Sequence, residues 1–258
     1  MKIIVAGYGP VGQAVVEALL QHPGEVDYFI DDPAKGYEVD PVLLDKPDGV
    51  IVCVATPMRK DGRCNTDHVE EVFRKYGDTK YLIKSAIDPV WLKSYANAYK
   101  GSYTYSPEFL RGSHAHGDPT TEFLSQTFAI YGGDDCRYWD EMFRACLPKL
   151  KDVKYGTLEQ AAFAKYVENT FLATKVTFFN EMYRIYNSLG FEGFDQMVDM
   201  ITLDPRIGRS HTQVPGPDGK FGYGGHCFPK DVAALRNLVK ESPLLDAVSD
   251  LNDELRNA

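Results

Sequence analysis

The first residues of the chain carry the feature that most limits how it can fold. An apolar run, Lys2 to Ala6, leads directly into the glycine-rich sequence GYGPVG (7–12), which opens a segment of helical character ending near Gln21. In a turn of this kind the first glycine permits a sharp bend, the second lets a ligand approach the backbone, and the third lets the helix pack closely on the strand. The helix N-terminus then offers amide donors and a positive dipole end to an anion. The pattern predicts a dinucleotide site formed by Gly7, Gly9, Pro10, Val11 and Gly12.

An acidic residue ends the next predicted strand, DYFIDD (27–32), and indicates which dinucleotide binds. Asp31 stands 24 positions after Gly7, where a carboxylate would accept a hydrogen bond from the ribose and repel a 2′-phosphate. We therefore predict that the cofactor is NAD and not NADP. The alternative is a glycine-bearing turn in a similar fold that binds nothing.

Short apolar runs alternate with helix-like segments through the first 156 residues, which is typical of β-α-β units and a parallel sheet. We expect an α/β fold in which residues 1–156 form an NAD-binding, Rossmann-like, doubly wound parallel sheet. The short segment from Pro33 to Asp48 suggests trimmed helices on one side of that sheet. Strands are predicted at 2–6, 27–32, 49–57, 80–86, 102–106, 126–133 and 152–156, and helices at 11–21, 66–76, 89–98 and 135–147.

A segment without proline or glycine, residues 157–189, follows the predicted sheet. As one helix it would be roughly 50 Å long, because each residue of an α-helix adds about 1.5 Å. A helix of this length either joins domains or lies along a dimer interface, and its FLATKVTFF stretch is strongly apolar. We expect a small helical domain over residues 157–258, a shorter helix at 193–203, and a homodimer formed through the long helix.

Composition excludes several classes of function. The 258 residues carry a net charge of −9, which argues against a protein that binds nucleic acid by neutralising phosphates. Five widely spaced cysteines without a C-x-x-C pair favour free thiols in a reducing compartment. The sequence contains no apolar stretch of membrane-spanning length, and its N-terminus is unlike a signal peptide. We therefore expect a cytoplasmic protein without a metal, acting on a small molecule.

One cysteine lies in an unusual setting, the sequence GYGGHCFPKD (222–231). The glycines would let the backbone turn and a ligand approach, and the nearby Lys230 would favour the thiolate of Cys227, which is the nucleophilic form. The alternative is a surface turn with an incidental cysteine.

Three further polar residues are candidates for the same chemistry. Lys165 and Asn169 are four residues apart, so they share a helix face on which they could hold an oxyanion, or that face is simply solvated. Glu108 in SPEFLR follows a predicted strand at the edge where ligands of open α/β sheets collect, although acidic residues are common in exposed loops.

Together these segments resemble the UDP-glucose/GDP-mannose dehydrogenase family, and within it the members that act on UDP-glucose. The resemblance covers nearly the whole chain, in family order. It rests on GYGPVG (7–12), VATP (54–57), NTDHVE (65–70), IKS (83–85), SPEFLR (106–111), AKYVENTFLATKVTFFNE (164–181), DPRIG (204–208) and FGYGGHCFPKD (221–231).

The resemblance implies a four-electron oxidation of a sugar's primary alcohol to a carboxylate by two successive NAD molecules. Cys227 would trap the intermediate aldehyde, Lys165 and Asn169 would stabilise the oxyanion, Asp231 would move a proton, and Glu108 would assist hydrolysis. Thr56, Lys35 and Lys230 would contact NAD. The sugar-nucleotide site would be lined by Phe109, Leu110, Arg111, Phe221, Gly222, Tyr223, Gly224 and Gly225, with Arg206 reaching it from this or a partner subunit.

The sequence departs from the family at three places. Ala86 stands where the family has a threonine that helps to place water, and Gly112 stands where it has a second glutamate. The family also has a third domain that holds the nucleotide of the substrate, and this sequence reaches Ala258 about where that domain would begin. Thioester hydrolysis is therefore expected to be the weak step, unless His226 or His114 compensates. UDP-glucose is the expected substrate; GDP-mannose, a UDP-N-acetylhexosamine, or a regulatory subunit that pairs with a full-length homologue are the alternatives.

Overall fold

The computed structural model describes residues 1–42, 44, 46–110 and 118–257. The chain divides into two compact units. The first comprises Met1–Arg59 and Cys64–Lys165, and the second comprises Lys60–Arg63 and Tyr166–Ala258.

The first unit contains a seven-stranded sheet in the order β2-β1-β3-β4-β5-β6-β7. The strand pairs are parallel, apart from β5 and β6, which run antiparallel. The α/β fold with a doubly wound, mostly parallel sheet is confirmed, with this one reversal added. The strands are β1 (Lys2–Ala6), β2 (Asp27–Asp31), β3 (Gly49–Val52), β4 (Lys80–Ile83), β5 (Ser102–Tyr105), β6 (Phe128–Gly133) and β7 (Asp152–Gly156).

The helices of the first unit begin where the local sequence supplies a start signal. Pro10, Pro89 and Pro119 each open a helix, as proline at the first helical position commonly does. Asp88 and Asp118 cap two of them, since their carboxylates accept backbone N–H groups of the first turn. The helices are α1 (Pro10–Leu19), α2 (Asp67–Tyr76), α3 (Pro89–Ala98), α4 (Pro119–Leu124) and α5 (Cys136–Cys146).

Alternate residues of the strands build two apolar layers, one on each face of the sheet. Ile3 and Val5 of β1 pack with residues of α1 and α5, including Trp139. Ile4 and Ala6 face the other layer, with Phe73 of α2. This alternation follows from the two-residue period of a strand. Between β2 and β3 the described residues form a 3₁₀ turn (Pro33–Lys35) and no α-helix. Lys75 and Tyr76 of α2 bind the side chain of Asp31, the last residue of β2.

The predicted long helix is α6 (Leu158–Ser188), which begins in the first unit and continues into the second. The second unit adds α7 (Phe194–Ile201), α8 (Cys227–Asn237) and α9 (Pro243–Asn257). Two small apolar clusters hold it together, one around Ala173 and Val248 and the other around Phe179 and Val198. No helix in the described ranges is long and apolar enough to span a membrane.

Candidate functional site

The glycine-rich turn after β1 has the geometry that a dinucleotide requires. Gly7 has φ +91°, and a Cβ there would lie 2.7 Å from the backbone nitrogen of Val54. A Cβ on Gly12 would lie 2.0 Å from the carbonyl oxygen of Gly7, so the helix can approach the strand this closely only without a side chain. Gly9, by contrast, faces open space, with nothing within 4 Å of a Cβ. The turn is closed toward the sheet and open toward a ligand.

The turn lies at the point where the strand order reverses. β1 has β2 on one side and β3 on the other, and ligands of open α/β sheets bind at the carboxyl ends of strands at such a point. Pro10 and Val11 open α1, whose N-cap residue Gly9 supplies no capping side chain. Thr56 follows β3, and its hydroxyl donates to the carbonyl oxygen of Ala86 over 2.6 Å. Val11, in the first turn of α1, can therefore offer its backbone N–H to a phosphate-bearing ligand, whereas Pro10 has no N–H. The hydroxyl oxygen of Thr56 can accept a hydrogen bond from the same ligand.

Asp31 is turned into the first unit, although the sequence predicts that it binds the ribose. Its side chain is 5% exposed and accepts from the ammonium of Lys75 over 2.8 Å and from the hydroxyl of Tyr76 over 2.6 Å. Lys35, also predicted to contact NAD, is exposed and donates to the carbonyl oxygen of Tyr8 over 2.5 Å. The structure thus brings Lys35 to the glycine turn and holds the carboxylate of Asp31 against α2.

Glu108 is buried beyond the end of β5 and forms an ion pair. Its Oε2 lies 3.3 Å from Nζ of Lys84, and the two side chains are 7% and 4% exposed. The ammonium of Lys84 also donates to the hydroxyl and carbonyl oxygens of Ser106. Glu108 is therefore held as part of a buried charged pair that the sequence alone did not identify; Lys84 lies within the family segment IKS, which was the available signal.

The aromatic residue Phe109 and the apolar residue Leu110 follow Glu108. The ammonium of Lys165, on α6, lies 4.9 Å from the ring centre of Phe109, a cation–π contact within the first unit. Leu110 is partly buried. Arg111, predicted to bind the substrate, and Gly112 and His114 lie outside the described residues.

Cys227 is the first residue of α8 and is exposed, whereas three of the other cysteines are buried and Cys53 is partly so. His226 is the N-cap residue, without a side-chain cap. Burial raises the pKa of the Cys53 thiol to about 12. The structure therefore separates one accessible thiol from the rest.

Asp231 lies one turn after Cys227 on α8 and is fully enclosed, with 1% of its surface exposed. Its two oxygens accept hydrogen bonds from the amide of Asn169 and from the ammonium of Lys230, both over 2.5 Å. The structure thus brings together three of the predicted site residues of the second unit. The ammonium of Lys230 therefore forms an ion pair with the carboxylate of Asp231.

Two asparagines fix the glycine-rich segment 221–225. Asn180 of α6 accepts from the backbone N–H of Gly222 over 3.0 Å, and Asn252 of α9 accepts from that of Tyr223 over 2.7 Å. Both asparagines are buried. Neither was predicted; Asn180 stands in a segment that carries the resemblance, and nothing in the sequence distinguishes Asn252.

The remaining predicted substrate residues surround this segment or lie apart from it. Phe221 packs its ring 5.8 Å from that of Tyr183. A Cβ on Gly224 would meet the guanidinium of Arg256 at 2.7 Å, while Gly225 is open. Arg206 is exposed and forms an ion pair with Asp204 in its own loop, so within this chain it faces solvent.

Residues 159–254 match the central domain of the UDP-glucose/GDP-mannose dehydrogenase family, and curated relatives extend the likeness over most of the chain. The chain is thus similar to members of this family over most of its length. It is 29% identical over 234 residues to UDP-glucose 6-dehydrogenase TuaD of Bacillus subtilis (strain 168), an alignment that covers 84% of this chain and 48% of the relative. It is 28% identical over 286 residues to GDP-mannose 6-dehydrogenase of Pseudomonas putida, covering 100% of this chain and 61% of the relative.

Solved structures of the family share the fold. The UDP-glucose dehydrogenase of the archaeon Pyrobaculum islandicum superposes with a TM-score of 0.76 at 24% identity, covering 98% of this chain and 68% of that one. The chain spans about half the length of the first curated relatives it matches.

Proposed function

We propose that the chain carries out an NAD-dependent oxidation of a nucleotide sugar, with UDP-glucose converted to UDP-glucuronate. One observation carries the proposal: an exposed cysteine at a helix N-terminus is followed, one turn later, by a buried aspartate whose two oxygens are held by Asn169 and Lys230. Oxidation of an aldehyde through a covalent thioester needs a nucleophile, which the thiol would supply, and a proton acceptor, which the fixed carboxylate would supply.

The first unit fits NAD. The open face at Gly9, the uncapped N-terminus of α1 and the close packing at Gly12 leave room for a pyrophosphate against backbone amides. When bound, NAD supplies the hydride acceptor for each of two oxidations. Gly7, Gly9, Pro10, Val11, Gly12, Lys35 and Thr56 would hold and orient it.

Cys227 would act on the aldehyde produced by the first oxidation. Its sulfur attacks the carbonyl carbon, a C–S bond forms, and the carbonyl oxygen becomes an oxyanion that takes up a proton. After the second oxidation the sugar is attached as a thioester. Water then breaks the C–S bond, which releases the carboxylic acid and returns the thiol.

The polar residues of α6 and α8 have separate tasks in this scheme. Lys165 and Asn169, one helical turn apart on α6, would donate to the oxyanion. Asp231 would accept the proton of the alcohol or of water, and Asn169 and Lys230 fix its orientation. Glu108, held by Lys84, would assist hydrolysis.

Product analysis with Cys227→Ser tests the proposal, with Cys136→Ser as a matched control at a buried cysteine. The unmodified protein should form two NADH for each UDP-glucose and yield the acid. Cys227→Ser should lose acid formation, while Cys136→Ser keeps it. Acid produced by Cys227→Ser at the unmodified rate would refute the covalent route.

A panel of sugar nucleotides separates the alternatives. The likeness to a GDP-mannose 6-dehydrogenase favours GDP-mannose as the second candidate, and UDP-N-acetylhexosamines complete the panel. NADH formation with none of them would favour a regulatory subunit.

Hydrolysis of the thioester is expected to be the slow step, because Ala86 lacks a hydroxyl that would place water. Intact-mass measurement during turnover should therefore show an adduct on Cys227. Acid released as fast as the first oxidation would contradict slow hydrolysis.

A further inference from the structure

The ribose-binding acid is the part of the nucleotide site where sequence and structure differ most. Asp31 is enclosed by three donors: Lys75 and Tyr76 of α2, and the backbone N–H of Val39 at 3.3 Å from Oδ1. To bind a ribose, this carboxylate would have to leave an ion pair and a buried hydroxyl, which costs free energy on both sides.

The next residue has the opposite surroundings. Asp32 lies just beyond β2, is partly exposed, and accepts from the backbone N–H of Tyr8 through Oδ2 over 2.8 Å. Tyr8 is the residue between the first two glycines of the turn, so this bond ties the carboxylate of Asp32 to the nucleotide loop. Among the described residues, Oδ1 of Asp32 has no hydrogen-bond partner.

A lysine completes the arrangement. Lys35 donates to the carbonyl oxygen of the same residue, Tyr8, over 2.5 Å, and its ammonium lies 5.8 Å from the centre of the Tyr8 ring. Asp32 and Lys35 therefore bind the N–H and the carbonyl of one loop residue. At this position a carboxylate favours ribose hydroxyls and disfavours a phosphate, whereas the ammonium alone would attract a phosphate.

We propose that Asp32, not Asp31, is the residue that accepts the 2′-hydroxyl of the adenosine ribose and excludes NADP, and that Asp31 instead fastens β2 to α2. This inference rests on the proposed NAD site. It assigns discrimination between the two cofactors to the balance of Asp32 against Lys35.

Calorimetric titration with NAD, NADP and NAD lacking the adenosine 2′-hydroxyl tests the assignment without turnover. Asp32→Asn should weaken NAD binding by about tenfold, because a charged hydrogen bond is lost. It should leave the affinity for the 2′-deoxy cofactor nearly unchanged, and it should strengthen NADP binding because Lys35 is then unopposed. Asp27→Asn, the same change at the exposed start of β2, is the matched control and should alter none of the three affinities.

Two variants address Asp31 by separate routes. Asp31→Asn should lower the unfolding temperature and keep the preference for NAD. If that variant does not fold, Lys75→Met still breaks the ion pair and should likewise keep the preference. Loss of the preference in either variant, or an unchanged preference in Asp32→Asn, would overturn the proposal. An unmodified protein that binds neither cofactor would instead refute the proposed function.

Discussion

Cys227 differs from the other cysteines in ways that a chemical probe can measure. It is exposed, whereas burial raises the pKa of Cys53 to about 12 and that of Cys146 to about 11. Iodoacetamide near neutral pH should therefore modify Cys227 first, because a buried thiol reacts only when the surrounding structure opens. Peptide mapping after limited reaction measures the order. Cys227→Ser should leave the folded protein almost unmodified, and labelling of Cys53 or Cys64 before Cys227 would contradict the structure.

We expect the buried ion pair of Lys84 and Glu108 to stabilise the folded chain as well as to hold Glu108 in the candidate site. Lys84→Met keeps the volume of the side chain but leaves a buried carboxylate without its partner, which typically costs about 3–5 kcal/mol of the free energy of unfolding. Urea denaturation gives the value.

Two comparisons isolate the charge of Lys84. Lys93→Met removes a partner from the exposed pair with Glu159 and should cost only about 0–1 kcal/mol. The double variant Lys84→Met with Glu108→Gln should recover part of the loss, since neither charge then remains. Equal losses in Lys84→Met and Lys93→Met would show that the buried pair carries no special weight.

At the level of single residues, the sequence predicted the backbone geometry of the glycine-rich turn, where Gly7 has φ +91° and Gly12 packs against the carbonyl oxygen of Gly7. The spacing of glycines along the chain is enough to predict this geometry, whereas the roles of Cys227 and its neighbours stay predictions. The sequence did not identify the surroundings of Asp31, since the partners Lys75 and Tyr76 lie 44 and 45 positions away and meet it only through packing. The same is true of Asn252, whose partner Tyr223 is 29 positions away.

The helix α6 presents a stripe of apolar side chains to solvent. Spacings of four and seven residues place them on one helix face, and Phe171 is 64% exposed. An exposed stripe of this kind marks a protein interface, so we propose a homodimer through it. The α6 stripe comprises Phe163, Val167, Phe171, Phe178 and Ile185.

A charge in the α6 stripe should abolish that dimer. Phe171→Glu is expected to convert dimer to monomer in sedimentation velocity, because a carboxylate would be buried without a partner. Asn187→Glu places the same charge at an exposed position on another face of α6 and should leave the dimer intact. An unmodified protein that is monomeric at working concentration would exclude the interface.

Asn180 and Asn252 bind the backbone of the glycine-rich segment, so replacing either one should destabilise that segment. Asn252→Leu leaves the backbone N–H of Tyr223 without its acceptor, which should lower the free energy of unfolding by about 1–3 kcal/mol. If segment 221–225 lines the sugar site, the variant should also raise KM more than it lowers kcat. Asn257→Leu changes an exposed asparagine of the same helix and should do neither; equal effects of the two variants would remove the special role of Asn252.

Sequence patterns predicted most of the helices and strands, but they predicted fewer of the residues at which these begin and end. Helix α3 matches its predicted range, and α6 differs by one residue at each end, because periodicity, proline and glycine mark those boundaries. Strand β3 stops at Val52 although the apolar run continues to Pro57, since only part of that run finds a neighbouring strand. The six-residue helix α4 was missed, and the antiparallel pairing of β5 with β6 depends on tertiary packing that no local pattern records.

For the molecule as a whole, the hydroxyl groups of several tyrosines and one buried thiol should lower the stability of the fold at high pH. Burial raises the pKa of Tyr103, Tyr138 and Cys53 to about 12, and that of Tyr81 still further. Above their ordinary values, about 10 for tyrosine and about 8.5 for cysteine, the folded chain therefore holds more protons than the unfolded chain. Stability must fall as the pH rises through this range, while below it the contribution is fully present.

Urea denaturation at a series of pH values measures this loss. The free energy of unfolding should begin to decline above about pH 9 and fall most steeply above about pH 10, and tyrosinate absorbance should rise together with the loss of helical circular dichroism. Tyr138→Phe, which keeps the ring, should make the decline shallower. Gradual ionisation of all tyrosines in a chain that stays folded would contradict the burial seen here.

Within the part of the chain that the structure describes, the strand order leaves two strands with a neighbour on one side only. The outer strands of the sheet are β2 and β7, each five residues long. An outer strand can pair with a strand of another molecule, and short length and charged side chains are what oppose such pairing. On β7, Asp152 and Lys154 are exposed, and β2 begins with the exposed Asp27. Both margins of the sheet are thus poor templates for the edge-to-edge stacking that leads to aggregation in a crowded solution.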